Sequence, residues 1–286
     1  MFFLVIFASL FLFQAAVCEE DETEFALNYL SNFGYTSHGR SGSNDAISAI
    51  KKFQEFFGLP VTGRLDERTL KEMRKPRCGV KDLVVGKNSM RVKRYSTWWT
   101  KWRKTSLKYY MTYGDDMSES KQARIIAKAF KMWSDAAPKL RFTRTFRVSE
   151  ADIKVSFGRR EHYGVPGEGK CYDPFDGKSG IFGGGLVLAH AFFPENGRLH
   201  FDDDEKFTEE GSIWGAKSLI HVAVHEIGHI LGLRHSNVKG SVMWPTASRG
   251  TPKLHDDDIK GIRSLYGMLE QHLTPNHLGF LSPGED

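Results

Sequence analysis

His225-Glu226-Ile227-Gly228-His229-Ile230-Leu231-Gly232-Leu233-Arg234-His235 is the stretch that decides how this chain is read. It ends the apolar run SLIHVAVHEIGHILGL, residues 218–233, which has the length and composition of a buried helix. Four residues of α-helix turn through roughly 400°, so His225 and His229 stand one above the other on one face. Two imidazoles so placed can share a zinc ion. Gly232 lets the chain leave the helix sharply, because a residue without a Cβ tolerates positive φ. That turn brings His235 back as a third ligand. Three histidines leave a fourth position open, as a catalytic zinc site requires. Glu226 projects beside the metal, where it can reach a water without ligating. Zinc lowers the pKa of such a water to about 7 and polarises a carbonyl. Glu226 is then the general base, and later the acid that protonates a leaving amine. His221 shares the face one turn earlier but lies outside the pattern; it is expected to pack or hydrogen-bond.

Outward from this helix, LKYYMTY (107–113) alternates like a strand and KQARIIAKAFKMWSDA (121–136) is amphipathic. LRFTRTF, ADIKVSF and LVLAHAFF read as further strands, and DDDIKGIRSLYG as a closing helix. This order predicts an α/β (α+β) domain with a mixed twisted sheet and about three helices. Residues 158–186 are Gly-rich and loop-like. Residues 22–75 hold three short amphipathic helices. The first ends at Gly34; the second is capped by Asn44 or Asp45 and stopped by Gly58; the third opens at Asp66. So small a unit buries little core alone and gains by docking on something larger. Residues 77–106 read as a linker and 268–286 as a flexible tail.

The first eighteen residues, MFFLVIFASLFLFQAAVC, are apolar and uncharged, and an acidic run follows from Glu19. They fall short of the roughly 20 residues of a membrane span. With small residues near Cys18, residues 1–18 read as a cleaved secretory signal, although no Lys or Arg precedes the apolar core. The protein is therefore expected in the extracellular space or matrix. The net charge is +5 with basic residues scattered, so neither a basic stripe nor a nucleic-acid module points to nucleic acid as a partner. With Cys18 in the signal, Cys78 and Cys171 remain, and a secreted protein would by default pair them. The surroundings of Cys78 argue for another role.

The long histidine motif resembles that of the metzincin peptidases, and its surroundings resemble the matrix metalloproteinases. Ser241-Val242-Met243-Trp244-Pro245 is similar to the family's methionine turn. The resemblance implies that Met243 is an apolar floor under the histidines and that Pro245 walls the specificity pocket. It also implies that substrate lies extended along the edge strand LVLAHAFF, at Ala189, adding backbone hydrogen bonds. Pro76-Arg77-Cys78-Gly79-Val80-Lys81-Asp82 resembles the family's cysteine switch, with lysine where the family has proline at position 81. A Cys78 thiolate would fill the open position on the catalytic zinc, and Arg77 would pair with Asp82 to hold the loop. The helical unit is similar to the family prodomain. Residues 19–94 are thus expected to be a prodomain and 95–267 a zinc metalloproteinase catalytic domain. Arg91-Val92-Lys93-Arg94 fits a proprotein-convertase site. Cleavage there would free Tyr95, whose amino group the family resemblance pairs with an acid of Asp256-Asp257-Asp258.

The resemblance further implies a structural zinc on His162, His190 and His200. The family's fourth ligand is an aspartate where this chain has Gly164; Asp173 is taken as the carboxylate, with Cys171 a chemically plausible rival. Asp176, Asp202 and Glu205 match calcium ligands of the family. Asp152 aligns with a ligand of a second calcium site, whose Gly-Gly-Asp is replaced here by Gly197-Arg198-Leu199-His200.

The expectation is a secreted, monomeric zinc endopeptidase, made as a zymogen and acting on extracellular-matrix proteins, collagen among them, or other extracellular proteins. A proprotein convertase and protein inhibitors of the tissue-inhibitor type are expected partners. The sequence stops soon after Leu265-Tyr266-Gly267, where many members continue into a hemopexin-like domain, so it resembles the minimal, matrilysin-like form. Two rivals are a glycan-binding module, from the resemblance of the helical unit to polymer-binding domains, and an inactive decoy. The cysteine directly after the helical unit argues against the first. Intact Glu226, three histidines and Met243 argue against the second. Replacing the last basic residue, Arg94→Ala, is expected to block maturation in secretory cells; N-terminal sequencing that finds Tyr95 first in that variant would sink the convertase reading.

Overall fold

A computed structural model describes residues 21–36, 43–83, 101–173, 175, 186–212 and 215–267. The signal, the Arg91–Arg94 site, Tyr95, Asp176 and the tail lie outside the described residues.

Three helices form the N-terminal unit: α1 (residues 21–32), α2 (Ser43–Phe56) and α3 (Glu67–Met73). Their apolar faces close on Leu30, Phe53 and Met73. Gln54 is fully buried among them, yet satisfied. Its amide donates to Thr62 Oγ1 (3.0 Å) and Thr69 Oγ1 (2.9 Å), and its Oε1 accepts from the Gly63 N–H (2.8 Å). A buried amide with its partners in place ties α2, the turn and α3 together. Asp66 caps α3 as expected, accepting from the Thr69 N–H at 2.8 Å. The cap of α2 differs from expectation: the helix begins at Ser43, so Asn44 and Asp45 sit in its first turn rather than ahead of it. An acid there still meets the positive end of the helix.

The larger unit is a six-stranded mixed sheet in the order β1-β5-β6-β4-β2-β3. The strands are β1 (Arg77–Cys78), β2 (Ser106–Met111), β3 (Arg141–Arg144), β4 (Ile153–Gly158), β5 (Val187–Ala191) and β6 (Arg198–Asp202). All neighbours are parallel except β5 and β6. A separate ribbon pairs β7 (Phe207–Thr208) with β8 (Lys217–Ser218). Helices α4 (Glu119–Ala136), α5 (Leu219–Ile230) and α6 (Asp256–Tyr266) complete the domain. The buried residues of α4, Ile125, Ile126, Ala129, Phe130 and Trp133, recur at helical spacing and face the sheet and α5. Trp133 is fully buried, and its indole N–H donates to the Val224 carbonyl at 2.8 Å, fixing α4 to α5. Trp102 does the same for the end of α5, donating to the Ile230 carbonyl at 2.8 Å.

The first residues of the expected linker belong to the sheet instead. As a two-residue edge strand, β1 is too short to show any periodicity. The two units also meet through Phe57 and Trp244, whose rings stand edge to face at 5.2 Å. The zinc-motif helix packs closely under its own histidines: a Cβ built on Gly228 would lie 2.3 Å from Met243 Sδ and 3.0 Å from Trp133. Gly228→Ala is therefore expected to destabilise the folded chain by about 1–3 kcal/mol, the usual range for overpacking a filled core. A thermal unfolding midpoint equal to the parent's would show that the site has room.

Candidate active site and metal centres

His225 and His229 rise from α5, and Gly232, at φ +101°, turns the chain so that His235 closes on them. The tautomer of each ring follows from its neighbours. His225 Nδ1 lies 2.7 Å from the Val242 carbonyl and His229 Nδ1 2.7 Å from the Leu233 carbonyl. His235 Nδ1 lies 2.6 Å from Asp82 Oδ1. Each of these oxygens accepts, so each Nδ1 carries the proton. Burial, the largest cause for all three, lowers their pKa values and keeps the rings neutral, although Asp82 pulls His235 the other way. Each Nε2 then presents a bare lone pair. Yet His225 Nε2 stands 3.1 Å from both His229 Nε2 and His235 Nε2. Three lone pairs with no proton between them repel, and a cation at their centre removes that repulsion. Nitrogens at about 2.0–2.1 Å from zinc in a tetrahedron are about 3.3 Å apart, close to this spacing. The residues therefore fit zinc.

Cys78 Sγ joins the same group, all four donor atoms lying within 4.8 Å of one another. Burial, then the neighbouring Glu226 charge, push its thiol above the ordinary range, so a thiolate here calls for a nearby positive charge. Glu226 is fully buried beside the Cys78 thiol, and no N–H or hydroxyl meets its carboxylate. Burial pushes it up to about 8, with Cys78 acting in the opposite direction. Beside it, Leu188, His221, Val222, Pro245 and Ala247 line a pocket. His221 itself is outside the donor group, as its position outside the motif implied.

The prodomain loop is held by a buried ion pair. Arg77 meets Asp82 with two prongs, at 2.5 and 3.0 Å. The guanidinium lies 3.5 Å over the Phe33 ring and donates to the Tyr29 hydroxyl. The Tyr35 hydroxyl donates to Asp82 Oδ2 at 2.7 Å. Burial alone would raise Asp82, but Arg77 and then His235 outweigh it and hold the carboxyl at about 2. Lys81, in the place of the family's proline, is exposed and takes no part in the clamp. The backbone of β1 occupies the cleft: the Cys78 N–H donates to the Pro245 carbonyl (3.0 Å) and the Gly79 N–H to the Ala189 carbonyl (2.9 Å). Both expected substrate-binding residues are thus engaged by the chain itself.

Asp258 was not singled out for this role by the sequence. It is buried, and it gathers the methionine turn by accepting from the Ser241 hydroxyl (2.5 Å) and the N–H groups of Val242 (2.9 Å) and Met243 (3.1 Å). Its signal was the capping box it forms with His255 at the start of α6. Its neighbour Asp257 accepts from the Ser236 hydroxyl at 2.7 Å.

His162, His190 and His200 come together in a second buried group. His200 Nδ1 lies 2.9 Å from His162 Nε2 and 3.1 Å from His190 Nε2. One expectation needs correction. The fourth member of the group is Cys171, whose Sγ is 3.4 Å from His190 Nε2; the Asp173 carboxylate is not among the converging donors. Asp152, aligned with a calcium ligand, is held by Lys104 at 2.6 Å and by the Lys108 N–H at 2.9 Å. Asp202 ends β6 and Glu205 follows it, both buried, the Glu205 N–H donating to the Asp202 carbonyl at 3.2 Å. Among the described residues they belong to no group of three or more metal-binding side chains. Cys78 and Cys171 are free thiols in different groups, so they form no disulfide.

Comparison with known proteins agrees with this geometry. The matrixin family model matches residues 101–267, and that of a putative peptidoglycan-binding domain matches residues 20–73. Matrix metalloproteinase-18 of Xenopus laevis is 40% identical over 265 residues, covering 88% of this chain and 51% of the relative. The human neutrophil collagenase is 38% identical, covering 90% and 52%. The macrophage metalloelastase of Rattus norvegicus is 39% identical, covering 93% and 56%. The chain thus spans about half the length of the curated relatives it matches.

Removing one partner of a buried pair costs about 3–5 kcal/mol, because the other charge is stranded. Asp82→Ala is accordingly expected to undock the loop in the uncleaved chain, exposing Cys78 to thiol reagents at least tenfold faster. An unchanged rate of Cys78 modification would show that the ion pair does not hold the loop.

Proposed function

The chain belongs to the matrixin family, and from that premise we propose that it is a secreted zinc-dependent endopeptidase of the matrix metalloproteinase type, made as a zymogen. The observation that carries the reading is the meeting of three bare imidazole nitrogens with a buried Glu226 that no N–H or hydroxyl meets. His225, His229 and His235 would hold the catalytic zinc, and Cys78 would complete its shell in the zymogen. Bound there, zinc supplies a Lewis acid that polarises a carbonyl and acidifies water. Glu226 takes a proton from the attacking water and passes it to the leaving amine. Its burial suits the task, since a base near neutral pH both accepts and returns a proton readily.

Substrate binding follows from what β1 now does. The carbonyls of Ala189 and Pro245 accept from the prodomain backbone. Once the prodomain leaves, the same two carbonyls accept from a substrate in extended form, and the pocket beside Pro245 receives one of its side chains. An enzyme that grips backbone on both sides cuts within chains. Relatives named as collagenases and a metalloelastase support matrix proteins as the substrate class.

Residues 1–18 are read as the signal, 19–94 as the prodomain, 95–267 as the catalytic domain and 268–286 as a tail. Cleavage after Arg94 by a proprotein convertase would begin activation, and protein inhibitors of the tissue-inhibitor type would act on the opened cleft. A structural zinc would sit on His162, His190 and His200. Calcium would be bound near Asp202 and Glu205, with Asp176. The likeness of residues 20–73 to a peptidoglycan-binding domain is read as a shared helical fold, because Phe57 of that unit packs on Trp244 of the catalytic domain.

Glu226→Ala, freed of its prodomain, is expected to cleave a fluorogenic peptide about 10²–10⁴-fold more slowly than the parent, the usual worth of a general base. Its catalytic zinc content should be unchanged. Cleavage at the parent's rate would refute the mechanism, and loss of the metal would place Glu226 among the ligands instead.

A further inference from the structure

We infer that Cys171 Sγ is the fourth ligand of a closed zinc site with His162, His190 and His200, in place of a carboxylate. The inference rests on the reading that those three histidines hold a structural zinc. Its ground is the path of the chain between His162 and Cys171. Tyr163 and Lys170 pair as an isolated antiparallel bridge, and the Cys171 N–H donates to the His162 carbonyl at 2.8 Å. Within this loop the Glu168 N–H donates to the Val165 carbonyl at 3.0 Å, and Gly167 adopts φ +90°. The loop therefore leaves His162, turns, and returns its last residue to His162's side.

A side chain at position 164 would have to displace Glu168 in this loop. A Cβ there would lie 1.8 Å from Glu168 Oε2. Glu168 is not free to yield, since it accepts from the Val165 N–H at 3.1 Å and pairs with Lys154 at 3.1 Å. The inserted residues thus displace a carboxylate from position 164 and deliver a thiol from position 171.

The spacing suits a metal. Zinc with sulfur at about 2.3 Å and nitrogen at about 2.0 Å in a tetrahedron sets sulfur and nitrogen about 3.5 Å apart. Cys171 Sγ is 3.4 Å from His190 Nε2. His162 Nδ1 lies 3.0 Å from the Arg160 carbonyl, which leaves its Nε2 bare and facing the group. All four residues are buried, and the Phe175 ring stacks on His162 at 4.5 Å, closing the outer side. Four protein donors with no open position make a structural site, and a thiolate beside three imidazoles suits zinc better than calcium.

The alternative is a thiol that merely points at the Asp173 carbonyl, 3.8 Å away. Cobalt(II) separates the two, because thiolate bound to cobalt gives an intense near-ultraviolet charge-transfer band that imidazole and carboxylate do not. The full chain carrying Glu226→Ala and Cys78→Ser is loaded with cobalt; these changes prevent self-cleavage and remove the thiolate of the other site. Two bound equivalents with the charge-transfer band are expected. Adding Cys171→Ser should abolish the band, and Cys171→Asp should abolish it while keeping the second equivalent. Two equivalents without the band, or a band that survives Cys171→Ser, would overturn the assignment of Cys171. Binding of a single equivalent would overturn the structural-zinc reading itself, and the assignment with it.

Discussion

Three imidazole nitrogens that face one another without a proton between them are the constraint around which the rest of this molecule is arranged. Left alone, they would rotate apart. Each ring is held by its far nitrogen: two by backbone carbonyls at Val242 and Leu233, one by the Asp82 carboxylate. Such outer partners fix the tautomer and aim the lone pair. The carbonyl of Val242 is itself placed by Asp258, which accepts from the backbone on either side of it. Gly228 lets Met243 approach the helix, and Gly232 lets the chain turn back. Residues distant in sequence thus serve one small volume.

The prodomain exploits the same constraint. Asp82 is at once the partner of Arg77 and the outer partner of His235, so the 77–82 loop grips the site from two sides. A buried ion pair is weak support for stability, because desolvation offsets most of its attraction. Its use here is positional. With Asp82 at one end and the β1 backbone at the other, Cys78 Sγ has little choice of where to point. The strand itself contributes only a few backbone hydrogen bonds, each worth about 0.5–1.5 kcal/mol net. An interaction of that size can hold a tethered loop and still release a cut one.

The catalytic half was legible because its signals are periodic or dense. The i, i+4 histidines, the amphipathic α4 and the alternating β2 each announce themselves within a short window. What escaped was structure specified by few residues or at long range. β1 is two residues long and is a strand only because β5 offers an edge. Asp258 looked like one of three acids in a helix start, and nothing local says that it would bind the methionine turn. Asp152 was read by resemblance alone, and its pairing with Lys104, distant in sequence, has no local signal. For the second histidine group, an insertion broke the family's spacing, and only the closure of the loop places Cys171 where a carboxylate was expected.

The second histidine group also braces the strand that lines the cleft. Successive side chains of a strand point to opposite faces, while its carbonyls lie in the plane of the sheet. On β5, His190 turns to the second group, while its neighbour Ala189 offers its carbonyl to the cleft. His200 stands directly across from His190 on β6, and His162 follows β4. The second group therefore joins β5, β6 and the 162–171 loop at the level of the cleft. Paired with β6 through its backbone and with the 162–171 loop through the His190–Cys171 contact, β5 presents Ala189 beside α5. The position of the Ala189 carbonyl relative to the histidines of α5 then depends on packing between that strand and the helix.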